Sequence, residues 1–297
     1  MADGKMAEQM GKGAGFIAAL DQSGGSTPKA LKGYGIEEGA WSNDEEMFGL
    51  IHQMRSRIIT SPAFTGEKVI GAILFERTMD GQVDGKPTPQ ALIDKGVVPF
   101  IKIDKGLEDE ANGVQLMKPM PELDALLARA KGLGVFGTKE RSVINLANRE
   151  GIAAIVKQQF EVAQQVIAGG LIPMIEPEVN IKSPERAEAD QILLEETLKA
   201  LDAMPGNDKV MLKLSIPAKP DLFKPLVDHP RVLRVVALSG GFSRAEACTE
   251  LAKNQGMIAS FSRALLSDLR HGMSEAEFDA SLGSAIDEIH QASTVKA

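Results

Sequence analysis

The chain has 297 residues, 43% of them apolar and 25% charged, with a formal net charge of -8; it holds enough apolar material for one large core or two average domains. The acidic balance argues against nucleic acid as the main partner, because binding to a phosphate backbone needs clustered Lys and Arg. One cysteine, Cys248, excludes an internal disulfide and a cysteine-based zinc cluster, and with no run of about 18 apolar residues and no signal-peptide pattern in Met-Ala-Asp-Gly-Lys the expectation is a cytoplasmic protein without a membrane partner.

Short apolar runs recur along the chain: Gly15 to Asp21, Lys68 to Phe75, Val97 to Ile103, Leu133 to Lys139, Gly170 to Glu176, Asp208 to Ser215, Val232 to Ser239 and Met257 to Arg263. Between them lie stretches with apolar residues at three- and four-residue intervals, among them Glu45 to Ile59, Arg149 to Ala168, Pro184 to Ala203 and Ser274 to His290. Alternation of strand and helix implies parallel strands joined by crossovers. Eight such units without a linker or a composition break predict a single α/β domain over residues 1–297, a (β/α)8 TIM barrel. An open doubly wound sheet is the alternative, but Gly24-Gly25 after the first run does not complete a dinucleotide fingerprint. The connection from Lys105 to about Pro121 is long enough to expect a function, and it follows the third strand.

Side chains alternate along a barrel strand, so residues two apart face the same way. That rule groups Lys102 with Asp104, Lys139 with Arg141, Glu176 with Glu178, and Met211 with Lys213 and Ser215. These groups fall at carboxyl ends, where barrel enzymes hold their chemistry. Lys213 lies in Lys209-Val-Met-Leu-Lys-Leu-Ser-Ile216, a run apolar enough for a buried strand. Alone it fits an amine that snorkels out at the strand end; its company points elsewhere. A lysine that forms an imine needs a neutral nitrogen, an acid to expel water and a base for the neighbouring carbon. Lys213 is the candidate nucleophile, with burial and the nearby Lys139 cation expected to lower its pKa. Glu176 and Glu178 are expected to split into one acid and one base. Asp21 adds a third carboxylate at the end of the first strand.

Two loops suit phosphate. Leu238-Ser239-Gly240-Gly241-Phe-Ser243 follows the seventh strand and opens a helix, so its amides offer an anion nest at a helix N-terminus. Arg263 ends the eighth strand, where a bidentate cation commonly joins such a nest. Ser23-Gly-Gly-Ser26 follows the first strand beside Asp21, with Lys102 as a source of charge. Two anion sites flanking one lysine suggest a substrate phosphorylated at both ends.

Together, Ala-Leu-Asp21-Gln-Ser-Gly-Gly-Ser, Ile-Lys102-Ile-Asp-Lys-Gly, Lys139-Glu-Arg141, Ile-Glu176-Pro-Glu178, Leu-Lys213-Leu, Leu-Ser239-Gly-Gly and Phe-Ser-Arg263-Ala-Leu resemble class I fructose-bisphosphate aldolase, in order from about Gly15 to about His290, and most closely its shorter bacterial form. The resemblance implies reversible cleavage of fructose 1,6-bisphosphate through a Lys213 imine, without metal or other cofactor. It implies Glu176 as acid and base, Glu178 and Lys139 tuning the imine, and Asp21 taking the C4 hydroxyl proton. Ser239, Gly240, Gly241 and Arg263 would hold the C1 phosphate, with Ser23, Ser26, Lys102 and Arg141 toward the other end. The same apparatus suits another ketose bisphosphate such as tagatose 1,6-bisphosphate, and an inactive barrel acting as a binding protein is the alternative of another class. The four histidines, His52, His229, His271 and His290, show no metal-ligand spacing. Two departures stand out. The longer vertebrate members end in a tyrosine that assists proton transfer, whereas the one tyrosine here is Tyr34, which leaves that step to Glu176. Those members also carry a glutamate where this chain has Gln22. Nothing in the sequence specifies an oligomeric state.

Overall fold

The computed structural model describes residues 4–297. Its central sheet has eight parallel strands: β1 Phe16–Leu20, β2 Val69–Leu74, β3 Val98–Lys102, β4 Gly137–Ile144, β5 Ile172–Val179, β6 Val210–Ser215, β7 Val232–Leu238 and β8 Ile258–Phe261. Each pairs with the next in sequence, and β8 returns to β1, which closes the sheet into a (β/α)8 barrel. All eight expected runs overlap a barrel strand, and the fifth strand extends past its run to Val179. The fourth is shifted: β4 begins at Gly137 and runs through the charged Lys139-Glu-Arg141 to Ile144, while Leu133 and Gly134 turn the chain out of the helix Leu123–Gly132. A charged triplet mid-strand is stable here because Lys139 and Arg141 face the barrel mouth and Glu140 faces the helices, as pleat alternation requires.

Alternation also divides the core. Ile17, Ala19, Ile70, Ile73, Val98, Phe100, Phe136, Met174, Met211, Val236 and Ile258 fill the barrel interior. Phe100 meets Phe136 edge-on at 5.5 Å between ring centroids, a favoured arrangement for aromatic quadrupoles. Met10, from the helix Gly4–Lys12, packs into the same cluster. That helix is tied to the strands by Gln9, which donates to the Ile70 carbonyl at 2.9 Å, and by Arg234, which donates to the Met10 carbonyl at 2.8 Å. The opposite strand faces, such as Leu212 and Leu214 of β6, pack on the surrounding helices in a second, larger cluster. Expected helices match closely: Asp44–Thr60, Arg149–Ala168, Arg186–Ala203 and Glu275–Thr294. The long connection after β3 is ordered. Val114–Gln115 pairs antiparallel with Val143–Ile144 at the end of β4, and Leu107 bridges Met117.

Gly137 shows how tight the interior is. A methyl group there would lie 2.4 Å from the Ile172 carbonyl oxygen and 2.8 Å from a Phe100 ring carbon. Gly137→Ala is expected to lower stability by about 1–3 kcal/mol through overpacking, read as a lower urea midpoint; an unchanged midpoint would contradict this packing.

Candidate active site

Above the apolar interior the next inward residues of β1 and of β3 to β6 are charged: Asp21, Lys102, Lys139, Glu176 and Lys213. Lys139 of β4 sits between two carboxylates: its Nζ is 2.8 Å from Asp21 Oδ2 and 2.7 Å from Glu176 Oε2. Glu176, on β5, spans two amines, because its Oε1 is 3.1 Å from Lys213 Nζ on β6. The resulting chain, Asp21 to Lys139 to Glu176 to Lys213, is almost entirely out of solvent, with 3–8% of each residue exposed. Such burial leaves little water to screen the charges. Burial pushes the Asp21 carboxyl up, but the charges of Lys139 and Lys213 outweigh it and hold Asp21 well below the usual carboxylate range. The same balance holds Glu176 below its ordinary value. Burial pulls Lys139 down, yet Asp21 and Glu176 together raise it well above an ordinary lysine. The expectation of two glutamates splitting each other's pKa values is therefore replaced by a lysine that keeps two carboxylates ionised.

Glu178 does not join that chain. Its carboxylate pairs with Arg141 Nε, so of the two residues expected to tune the imine only Lys139 reaches the Glu176–Lys213 contact. Asp104 is the hub of the upper layer: it accepts from Lys102 Nζ at 2.6 Å and from the Arg141 backbone amide at 3.1 Å. Lys102 is thus turned to Asp104. On the outer face of β4, Glu140 is fully buried against the helix layer and accepts from the Thr138 hydroxyl at 3.1 Å. Burial, with Asp104 and Glu176 adding repulsion, pushes its carboxyl well up.

The expected phosphate loops are built differently from one another. Gly240 and Gly241 both have positive φ, 59° and 116°, and a methyl on Gly240 would strike Ile181 at 2.7 Å; glycine is needed there on both counts. Among the described residues neither glycine amide has an internal hydrogen-bond acceptor. Arg263 is exposed, has no ion-pair partner among the described residues, and its Nη2 would lie 3.7 Å from a methyl on Gly241. The helix Arg244–Ala252 contributes less than its sequence suggested. A capping box between Ser243 and Glu246 occupies the amides of both residues, so those two amides are taken while the glycine amides of the loop are not. At the other loop, Ser26 accepts from the Ser23 amide at 2.8 Å and donates to the Ser23 carbonyl at 2.7 Å, a closed turn at the start of the helix Ser26–Tyr34.

Three features carry no signal in a single sequence. Arg55 lies within the helix Asp44–Thr60 yet is fully buried, with its guanidinium on Gln22 and Thr78. Gln22 reaches across to Ser262. Ile181 packs on the glycine pair. Tyr34 stands in the outer core, edge-on to Phe278 and bonded by Arg57, and takes no part in the contacts of Lys213.

Comparison with known proteins places these observations. The family model described as "Glycolytic: Fructose-bisphosphate aldolase class-I" matches residues 4–225. Among solved structures, fructose-bisphosphate aldolase from Plasmodium falciparum, determined in complex with TRAP and a small-molecule inhibitor, is similar over 99% of this chain and 94% of that one, with a TM-score of 0.82 and 21% identity. Cgl0159 from Corynebacterium glutamicum is similar over 97% of this chain and 91% of that one, with a TM-score of 0.54 and 13% identity. At these identities the two structures share the barrel with this chain.

The charge chain predicts a pH signature. Asp21 and Glu176 have lowered pKa values, so the stability they contribute is present above the usual carboxylate range and lost as the pH falls below it. Without Lys139 much of the charge that offsets burial is lost, so the carboxyls are expected to rise and less stability to be lost as the pH falls. Lys139→Met is expected to lose about 3–5 kcal/mol at neutral pH and distinctly less near pH 4 in urea titrations. Equal losses at the two pH values would contradict the bridging role.

Proposed function

The chain belongs to the class I fructose-bisphosphate aldolase family, an enzyme that reversibly cleaves fructose 1,6-bisphosphate to dihydroxyacetone phosphate and glyceraldehyde 3-phosphate, and from that premise we propose which side chains carry each step. Lys213 adds to the C2 carbonyl, and Glu176 Oε1, 3.1 Å away, takes the proton that the nitrogen sheds. Glu176 passes it to the former carbonyl oxygen to make the hydroxyl. It then carries a second proton from the same nitrogen, the ammonium of the ion pair at the start, to expel that hydroxyl as water, which leaves an iminium. Asp21, kept ionised by Lys139, accepts the C4 hydroxyl proton. The C3–C4 electron pair flows into the iminium as the bond breaks, which releases glyceraldehyde 3-phosphate and leaves an enamine. Once the aldehyde has left, Asp21 returns its proton to solvent, Glu176 takes one up from solvent and delivers it to C3, and hydrolysis of the resulting imine frees dihydroxyacetone phosphate and Lys213. With Tyr34 in the outer core, no tyrosine is needed in this scheme.

The observation that carries the reading is the contact of one buried glutamate with both lysines. It gives Glu176 a proton donor on one side and a fixed countercharge on the other. Ser239, the amides of Gly240 and Gly241, and Arg263 are assigned to the C1 phosphate, with Arg263 as the cation beside the glycines. Ser23, Ser26, Lys102 and Arg141 are assigned to the far end, where the ion pairs to Asp104 and Glu178 must be shared with the incoming anion. Because the iminium supplies the electron sink, the reaction is read as metal-independent. One domain is assigned to the whole chain, supported by β7 and β8, which lie beyond residue 225 and close the barrel. A cytoplasmic location is proposed from the single cysteine, Cys248, since one cysteine forms no internal disulfide. Among the described residues no helix is long and apolar enough to cross a membrane.

A coupled assay of fructose 1,6-bisphosphate cleavage in excess EDTA tests the assignment. Undiminished turnover is expected in the parent, with a loss of about 10²–10⁴-fold in Glu176→Gln and a raised KM with little change in kcat for Arg263→Ala. Loss of activity to EDTA that zinc restores, or equal loss in Arg263→Ala on unphosphorylated analogues, would overturn the corresponding part.

A further inference from the structure

Among the described residues Arg55 is the largest fully buried side chain, and it has no carboxylate partner there. Its Nη1 donates to the Thr78 hydroxyl at 2.7 Å, and its Nη2 donates to the Gln22 carbonyl at 2.6 Å and to Gln22 Oε1 at 3.1 Å. Nε is buried without an acceptor. Burial pulls the guanidinium down to about 10 against the attraction of Asp21. A cation held this way by neutral acceptors is expensive, and an apolar side chain of similar volume would fill the space at lower cost. What the arginine adds is a grip on the residue that follows Asp21.

That grip fixes the Gln22 amide. With Oε1 facing Arg55, Nε2 must face the other way, where it donates to the Ser262 hydroxyl at 2.6 Å and to the Ala19 carbonyl at 3.2 Å. Gln22 therefore spans the carboxyl ends of β1 and β8, with Asp21 before it in the chain and Arg263 after the serine it holds. A glutamate at this position would keep Arg55 but have no hydrogen to give Ser262, and its oxygen would face the Ala19 carbonyl.

We propose that Arg55 and Gln22 are positioning residues that couple the Asp21 loop to the Arg263 loop, so that the proton acceptor for C4 and the cation for the C1 phosphate are set as one unit. The proposal rests on the roles given above to Asp21 and Arg263. It separates two half-reactions. Exchange of the C3 hydrogen of dihydroxyacetone phosphate needs Lys213 and Glu176 but not Asp21, whereas cleavage of the bisphosphate needs all three.

The test uses the near-isosteric Gln22→Leu, Ser262→Ala, their double variant and Arg55→Lys, each assayed for cleavage and for deuterium exchange into dihydroxyacetone phosphate. The exchange rate at saturation counts working sites, so misfolded molecules drop out of the ratio. Gln22→Leu and Arg55→Lys are expected to lower the ratio of cleavage kcat to exchange kcat by about tenfold or more, as for a displaced catalytic group. The double variant should fall no further than Gln22→Leu, because both substitutions break one connection. An unchanged ratio, or effects of Gln22→Leu and Ser262→Ala that multiply, would overturn the relay alone. Absence of exchange in the parent would refute the imine reading and the relay with it.

Discussion

The ammonium of Lys139 is the constraint on which the site depends. It contacts both Asp21 and Glu176, and without it two buried carboxylates would lose the charge between them in a space with almost no water. Breaking such a buried pair costs far more than the pair contributes relative to an apolar core. The lysine is thus weak evidence for stability and strong evidence for a fixed charge state. By holding both carboxylates ionised it leaves Glu176 able to take a proton from the nitrogen of Lys213 and Asp21 able to take one from a hydroxyl. Those are the two proton acceptances that an imine-mediated carbon–carbon cleavage requires.

The barrel supplies this arrangement through register. Lys102 pairs with Lys139, Arg141 with Glu176, and Val236 with Lys213 across neighbouring strands. Below that level the interior is filled by apolar side chains, with Phe100 packed so closely on Gly137 that no side chain fits there. The packed layer acts as the floor of the site and keeps its charges at one end. The strand ends hold the groups proposed for proton transfer, while the loops after β7 and β8 hold the amides and the arginine proposed for an anion. The loops after β1 and β8 meet through Gln22.

Much of this was legible in the sequence because both strand pairing and pleat alternation have short periods. The two-residue spacings of Lys139 with Arg141 and of Glu176 with Glu178 gave the facing of each side chain, and the alternation of runs gave the barrel. Facing does not specify partners. Glu178 and Glu176 point the same way, but one level along the strand gives Glu178 to Arg141 and Glu176 to the lysines. The start of β4 was misread because Leu133 and Val135 look like strand residues, while the preceding helix uses Leu133 to terminate. Arg55 was invisible for a different reason: its acceptors are Gln22 and Thr78, more than twenty residues away on either side. On a helical wheel it reads as a solvated cation. The capping box at Ser243 is visible as Ser-x-x-Glu, and it should have lowered the expectation of a free helix N-terminus.

The central claim is that Lys213, and no other amine, forms the covalent intermediate. Borohydride reduction in the presence of dihydroxyacetone phosphate, followed by peptide mass mapping, tests it directly. The account predicts one added three-carbon phosphate on the peptide that contains Lys213, and none in Lys213→Met. A label on Lys139 or Lys102, or no label under conditions of full turnover, would contradict it.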